Sequence, residues 1–371
     1  MKKTFALLLT AVMMLGLLAG CGSKEETAPE GEDTATEEGV TSDLNVGVFY
    51  YNFADAYITT VRTAMDALLD EAGVKYNNFD GQTNQAQQLD QINTAITNGA
   101  NLLIVNIVET SSPDAAQKAC DAAKEAGIPI IFFNREVADD VVKSYDKCAF
   151  VGTDAAEAGH MQGEMIGDYL LENYDAVDLN KDGVITYAMF KGQEGNNEAE
   201  YRTQFSVEDA DAKLTAAGKP ALEYYDANNA SKYQVDPNGA WSSQAATDFM
   251  NTILASNTEA NGNMIELVIA NNDGMAEGAV AALQQAGYNT GDEGSITIPV
   301  YGVDAMESAL QKIEKNQMTG TVKQDGAGMA STIMTLIGNV NTGAELMDNT
   351  SDLNVDEGVA KIRVPYAKIT G

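Results

Sequence analysis

The chain is expected to be an α/β protein made of two parallel sheets placed end to end. Three observations predict this. Short apolar runs alternate with segments of helical spacing from residue 44 onward. Two of those runs, 102–108 and 128–134, are almost unbroken, as strands covered on both faces are. After the fourth strand the same rhythm starts again.

Taken in order, residues 44–51 form the first strand. Ile58, Val61, Met65, Leu68 and Leu69 have helical spacing and predict a helix over 55–71, stopped by Gly73. A strand over 74–78 follows. Leu89, Ile92 and Ile96 carry a helix over 84–98 that Gly99 caps. The strand at 102–108, a helix over 113–126 stopped by Gly127, and the strand at 128–134 complete the first series. The second series has strands at 149–151, 184–191, 222–225, 265–271 and 298–303. Its helices cover 155–172, 197–217, 244–255 and 274–286. Further elements are expected at 306–315, 318–322, 327–341 and 359–365.

Composition narrows the function. The 371 residues give room for two domains. Lys and Arg number 22 against 55 Asp and Glu, a net charge of −33, which argues against nucleic acid as a partner. One His excludes a histidine-cluster metal site, and three Cys exclude a disulfide scaffold or a four-cysteine zinc site. No Walker A, G-x-S-x-G or G-x-G-x-x-G string occurs.

The first residues are an address. Met1-Lys2-Lys3 precedes an apolar run over 5–19 that is too short for a comfortable membrane span. Leu18-Ala19-Gly20-Cys21 resembles the lipobox of bacterial lipoproteins, which implies removal of residues 1–20 and a lipid on the sulfur of Cys21. Residues 21–43 are acidic, without apolar periodicity, and are expected to be a disordered tether. So acidic a chain is repelled by anionic headgroups, leaving the lipid as the only membrane attachment.

In open α/β sheets the ligand lies beyond the carboxyl ends of the strands. There the sequence places Tyr51, Asp55, Tyr57, Asn134, Asn196, Glu198, Arg202, Asn271, Asn272, Asp273, Asp304 and Gln324. Planar amides, carboxylates and a guanidinium match the hydroxyls of a sugar. Tyr57 and Trp241 are candidates to pack on its C–H faces.

Several strings carry a resemblance: Val46-Gly47-Val48, Ile131-Phe132-Phe133-Asn134, Ser144-Tyr145-Asp146-Lys147, Val151-Gly152-Thr153-Asp154, Val268-Ile269-Ala270-Asn271-Asn272-Asp273, Gly302-Val303-Asp304-Ala305 and Arg363-Val364-Pro365-Tyr366. With Asp178-Leu179-Asn180-Lys181-Asp182-Gly183 they span residues 44–371 in order. The chain resembles the bacterial galactose/glucose-binding proteins of the periplasmic-binding-protein type I class. That resemblance implies two Rossmann-like lobes, 44–151 with 326–360 and 154–323 with 361–371. It implies a three-segment hinge near 151–154, 323–326 and 363–366. It also implies a monomer that closes on one monosaccharide and hands it to an ABC transporter permease, with a chemoreceptor as a second partner.

The family's hexose contacts fall on Tyr51, Asp55, Tyr57, Asn134, Asn196, Glu198, Arg202, Trp241, Asn272, Asp304 and Gln324. Tyr57 stands in place of Phe, Asn196 of His, Glu198 of Asp and Gln324 of Asn. Glu198 and Gln324 each push a polar group one methylene further into the site.

The string from Asp178 also reads as the start of an EF-hand loop. Asp178, Asn180 and Asp182 supply oxygens at positions 1, 3 and 5, Gly183 sits at 6, and Val184 offers a carbonyl. Position 12 is Met189 rather than Glu. The resemblance supplies the missing carboxylate from Glu266 and puts Thr186 where Gln is usual. The expected cofactor is one structural Ca²⁺ away from the sugar; a metal-free Asx-rich turn is the alternative.

The expected activity is capture, not catalysis. A glycosidase using Asp55 with Glu198, or Glu198 with Asp304, is the enzymatic alternative. It is disfavoured because Arg202 and the amides are expected to keep those carboxylates ionised. His160 is expected to be a packed or surface helical residue, and Cys120 and Cys148 two separate buried thiols.

Overall fold

The computed structural model describes residues 42–371; the expected signal segment, Cys21 and most of the tether lie outside them. The chain runs β1 (Asn45–Tyr50), α1 (Ala56–Glu71), β2 (Lys75–Asp80), α2 (Gln85–Thr97), β3 (Leu102–Val105), α3 (Asp114–Ala126), β4 (Ile130–Phe133), α4 (Asp139–Lys143) and β5 (Cys148–Gly152). It then crosses into α5 (Ala155–Val177), β6 (Thr186–Lys191), α6 (Asn197–Ala216), β7 (Glu223–Tyr224), β8 (Gln234–Val235), α7 (Ser243–Leu254), β9 (Leu267–Ala270), α8 (Asp273–Gln285), β10 (Val300–Asp304), α9 (Glu307–Glu314) and β11 (Gly320–Gln324). It returns through α10 (Gly326–Thr342), β12 (Asn354–Val355) and β13 (Lys361–Arg363), and ends in β14 (Tyr366–Thr370).

Two sheets result, ordered β12-β13-β5-β4-β3-β1-β2 and β14-β11-β10-β9-β6-β7, with β8 also on β6. Pairing is parallel except at two edges, where β12 meets β13 and β14 meets β11 antiparallel. Every residue of β3 and β4 is fully buried, which explains their unbroken apolar runs. The faces alternate: Leu102 and Ile104 enter one core with Val46 and Val48, while Leu103 and Val105 enter the other with Phe49. The second sheet divides likewise, Ala188 and Phe190 to one core and Tyr187 and Met189 to the other. Among the described residues no helix is long and apolar enough to cross a membrane.

Sheet membership corrects one boundary. The sequence assigns 361–371 to the second lobe, but β13 pairs parallel with β5 in the first sheet. The last crossing therefore falls at Val364–Pro365, where proline has no N–H to donate to either ladder. The strand expected over 102–108 stops at Val105. There the Asn106 side chain takes over, accepting from Tyr51 N at 3.2 Å and donating to Phe133 O at 3.2 Å and Asn134 Oδ1 at 3.0 Å. Tyr366 from β14 and Thr153 share a 2.7 Å hydroxyl–hydroxyl bond, and Arg363 Nη1 donates to Thr153 O at 2.8 Å, joining two of the crossings.

Candidate functional site

The carboxyl ends of the two sheets face each other across a cleft. Asp55 is the N-cap of α1: its Oδ1 accepts from Ile58 N at 2.9 Å and its Oδ2 from the Tyr51 hydroxyl at 2.5 Å. The Tyr57 ring lines the cleft while its hydroxyl reaches back to Met329 Sδ at 4.0 Å. Asn134 follows β4 with φ of 61°, and Asn106 orients its side chain from behind. Next to it, Arg135 is buried. Its Nη1 donates to Val108 O at 2.5 Å and Ile107 O at 3.2 Å, and its guanidinium lies 4.0 Å above the Tyr51 ring.

From the second lobe, α6 delivers three residues. Asn196 is its N-cap, accepting from Ala199 N at 3.0 Å. Glu198 lies in the first turn and Arg202 one turn later on the same face, both buried. Arg202 donates to Asn271 O at 2.9 Å, Tyr366 Oη at 2.9 Å and Gln324 Oε1 at 3.2 Å. Asn272 caps α8 and donates to Trp241 O at 3.3 Å. Trp241 itself has φ of 57° and packs over Gly192, where an added Cβ would stand 2.1 Å from the indole; no other residue fits there. Asp304 ends β10 with φ of 126°. Positive φ at Asn134, Trp241 and Asp304 concentrates backbone strain around one point, as binding sites do.

These side chains line one small cavity of about 40 Å³. Its polar lining is incompletely paired: Glu198 Oε2, Arg202 Nε and Gln324 Nε2 are buried with no hydrogen-bond partner. Burial raises the Asp304 carboxyl well above the usual range, opposed by Arg202 and reinforced by Asp273 and Asp55. Burial likewise raises Glu198, against Arg202, and Asp55, against its bond from Tyr51. Desolvation thus works against the ionised forms that Arg202 and the amides favour. Such groups gain most from a neutral ligand that donates to the acids and accepts from Arg202 and Gln324.

The lobes also touch directly. Arg135 Nη2 donates to Gln193 Oε1, Asn196 Nδ2 to Thr110 Oγ1 at 3.2 Å, and Glu136 N to Glu198 Oε1 at 3.2 Å. These bonds join the lobes across the cleft in a closed arrangement.

All eleven residues singled out as sugar contacts line this one cavity, joined by Ile58 and Arg135. Asn271 and Asp273 stand behind it. Asn271 Oδ1 accepts from Gly192 N at 3.1 Å, and Asp273 accepts from Thr321 Oγ1 at 2.6 Å and Met306 N at 2.8 Å. Sequence reasoning missed Arg135, although its place directly after Asn134 at a strand end was the available signal. Asn196 spends its amide on Thr110 rather than on the cavity. His160 is on the α5–α6 contact, stacked on Phe205 at 4.0 Å and bonded to Asp209 at 2.7 Å.

The loop at 178–186 is a separate structure. Asp178 accepts from Asp182 N at 3.2 Å and Gly183 N at 3.0 Å, and Asp182 accepts from Val184 N at 3.0 Å. Fully buried Glu266 accepts from Asn180 N at 2.8 Å and Thr186 N at 2.9 Å. Asn180 pairs with the Met264 backbone through both its amide atoms. The donors are all oxygens, the chemistry a hard cation takes. Among the described residues, no group of three or more His, Cys, Asp or Glu side chains is placed to hold a metal ion.

Residues 46–345 match the family described as periplasmic binding protein domain. The D-galactose/methyl-galactoside binding periplasmic protein MglB of Haemophilus influenzae is 31% identical over 329 residues, covering 88% of this chain and 90% of that protein. The ribose import binding protein RbsB of Bacillus subtilis is 21% identical, covering 87% and 88%. Among solved structures, an ABC transporter solute binding protein of Clostridium phytofermentans with bound β-D-glucose superposes with a TM-score of 0.68 at 20% identity, covering 88% of this chain and 94% of that one. One from Bacillus halodurans with bound myo-inositol gives 0.67 at 24% identity, covering 90% and 96%.

Proposed function

The chain belongs to the periplasmic binding protein family, and on that premise we propose that it captures a galactose- or glucose-like hexose between its lobes and delivers it to an ABC transporter. Sugar-binding transport outside the cytoplasm is the coarse activity of the relatives it matches. The hexose is the finer reading, because solved relatives of this fold hold different sugars and polyols.

One observation carries the proposal. Glu198 Oε2, Arg202 Nε and Gln324 Nε2 are buried, unpartnered and line a single cavity with Asp304. A hexose presents hydroxyls that both donate and accept, so one ligand supplies a donor to each acid and an acceptor to each N–H. Its C–H faces have the rings of Tyr57 and Trp241 to pack against. Contacts with both lobes favour the closed form, so binding and closure are one equilibrium. The first lobe brings Asp55 and Asn134, the second Glu198, Arg202, Asn272 and Asp304.

Calorimetric titration with glucose, galactose, ribose and myo-inositol, after unfolding and dialysis to strip carried-over ligand, tests this. Submicromolar to micromolar affinity for glucose or galactose, about −8 kcal/mol or better, supports the reading. Tight binding of ribose or myo-inositol alone moves the substrate and leaves the site. No binding to any of them overturns both.

Two further parts belong to the same proposal. Anchoring would pass through a lipid on Cys21, tested by labelling cells with a fatty-acid analogue and comparing Cys21→Ala. The 178–186 loop would hold a structural calcium through Asp178, Asn180, Asp182, Val184, Thr186 and Glu266. The support is their all-oxygen donor set, and thermal unfolding with calcium and with chelator tests it.

A further inference from the structure

Trp241 is the single tryptophan of the chain, and it lines the cleft. Its neighbour Asn272 bonds its backbone carbonyl, at 3.3 Å, and not its indole. The place of the ring is therefore set by packing on bare Gly192 and by the backbone that aims it. That backbone has φ of 57°, a left-handed conformation uncommon for an aromatic residue, which persists only where the surroundings impose it.

The surroundings that impose it converge on Asp236. This residue is buried and is not part of the cavity lining. Asp236 N donates to Lys191 O at 3.0 Å, continuing the pairing of β8 with β6 and fixing the start of the loop. Gly239 N donates to Asp236 O at 3.0 Å and closes the turn Asp236-Pro237-Asn238-Gly239. Proline is suited to the second position of such a turn, and Gly239 takes φ of 59° at its end. The Asp236 side chain then reaches both flanks of Trp241. Its Oδ1 accepts from Asn238 N at 2.8 Å, and its Oδ2 accepts from Ser242 N at 2.9 Å and Ser242 Oγ at 2.8 Å. Ser242 is the N-cap of α7, accepting from Ala245 N at 3.3 Å, so the far end of the loop is tied to a helix.

We propose that Asp236 is a positioning residue for sugar recognition: its carboxylate, bonded on both sides of Trp241, holds that backbone in the left-handed form that lays the indole over Gly192 and against the ligand. The role rests on the hexose reading of the cleft, and Asp236 acts through Trp241 without touching the sugar. Removing the carboxylate takes the acceptor from Asn238 N and Ser242 N together, and the bonds lost are charge-assisted. Trp241 is then free to relax to negative φ, which turns its Cα–Cβ bond and swings the ring off Gly192. An asparagine at this position keeps one accepting oxygen and puts an NH₂ where the other was, so it preserves one side of the clamp only.

The test compares the full chain with Asp236→Ala, Asp236→Asn, Trp241→Ala and the Asp236→Ala/Trp241→Ala double variant, with circular dichroism to show that each is folded. A single tryptophan supplies all the indole emission, so fluorescence reads the place of the ring without any sugar present. In Asp236→Ala the emission should move to longer wavelength and acrylamide should quench it more steeply, with Asp236→Asn between that variant and the wild type. In calorimetry Asp236→Ala should weaken galactose or glucose binding by about 5- to 10-fold, the scale of a lost aromatic packing contact. It should add nothing to the loss already caused by Trp241→Ala. If Asp236→Ala does not fold, Asp236→Asn decides by the same readings. Emission and quenching equal to the wild type, or an affinity loss that adds in full to that of Trp241→Ala, would overturn the role. A wild type that binds neither sugar would sink the hexose reading instead, and the quenching comparison would still decide whether Asp236 places the ring.

Discussion

In the cleft, Glu198 Oε2, Arg202 Nε and Gln324 Nε2 are buried without partners. In the 178–186 loop, both oxygens of Asp178 and both of Glu266 accept backbone N–H groups, and Asn180 is paired at both ends. Both regions are rich in carboxylates and amides, and the sequence proposes a ligand for each. They differ in how those groups are satisfied. An unpaired buried polar atom costs about 1–3 kcal/mol, so the cleft gains from a molecule that pairs its atoms. The loop's carboxylates are already paired with backbone N–H groups of the chain itself.

The largest expected effect is in the cleft. Asp304→Ala should weaken hexose binding by ~100-fold or more, since it removes a buried hydrogen-bonding carboxyl opposite Arg202. Circular dichroism should stay native, and an unchanged calorimetric affinity would remove the cleft from the account. Glu266→Ala sharpens the other side. It leaves the Asn180 and Thr186 N–H groups unpaired, and should cost about 2–3 kcal/mol in denaturant unfolding while sugar affinity stays within about 2-fold. A large loss of sugar affinity in that variant would join the two regions.

Acidity gives a third contrast. Burial raises the Asp273 carboxyl behind the cleft to about 7, while its bonds from Thr321 and Met306 N oppose the rise. The folded chain therefore holds this proton more tightly than the unfolded chain, whose Asp titrates near ~4. The Asp273 contribution to stability is greatest below that value and is lost as pH rises from ~4 through ~7. Thermal unfolding scanned over that window should show Asp273→Asn with a flatter profile than the wild type; parallel profiles would contradict the assignment.

Smaller effects follow. Gln193→Ala removes a lobe-to-lobe bond from Arg135 that exists only when the cleft is closed, and should raise the dissociation rate about 5-fold without changing sugar preference. Stopped-flow release measures it. Chelation should lower the unfolding temperature by only about 1–3 °C, because the loop's hydrogen bonds persist. A collapse of the fold on chelation would mean that the loop depends on its ion.

The legible part of the site is the part fixed by chain-local rules. Asp55, Asn196 and Asn272 are side-chain N-caps, and Asn134, Asp304 and Gln324 sit at or just beyond strand ends; both features follow from local sequence. The strand-end position of Arg135 did not by itself announce its burial. A charged residue after a strand is usually solvated, and this one is buried only because the carbonyls of Ile107 and Val108 and the ring of Tyr51 receive it. Trp241 depends on Gly192, far away in sequence, being bare. The fold was legible through its buried central strands, whereas the edges were not. The 359–365 segment reads as one element, yet it holds a strand of the first sheet and the crossing to β14.

The central claim, that each unpaired polar atom of the cleft is taken by a hydroxyl, is tested most directly by titrating the protein with galactose and its monodeoxy analogues. A site built to hydrogen-bond hydroxyls rejects a ligand that lacks one, so at least two analogues should bind ~10-fold or more weakly. Equal affinity across the series would show that the buried acids, Arg202 and Gln324 do not read the sugar.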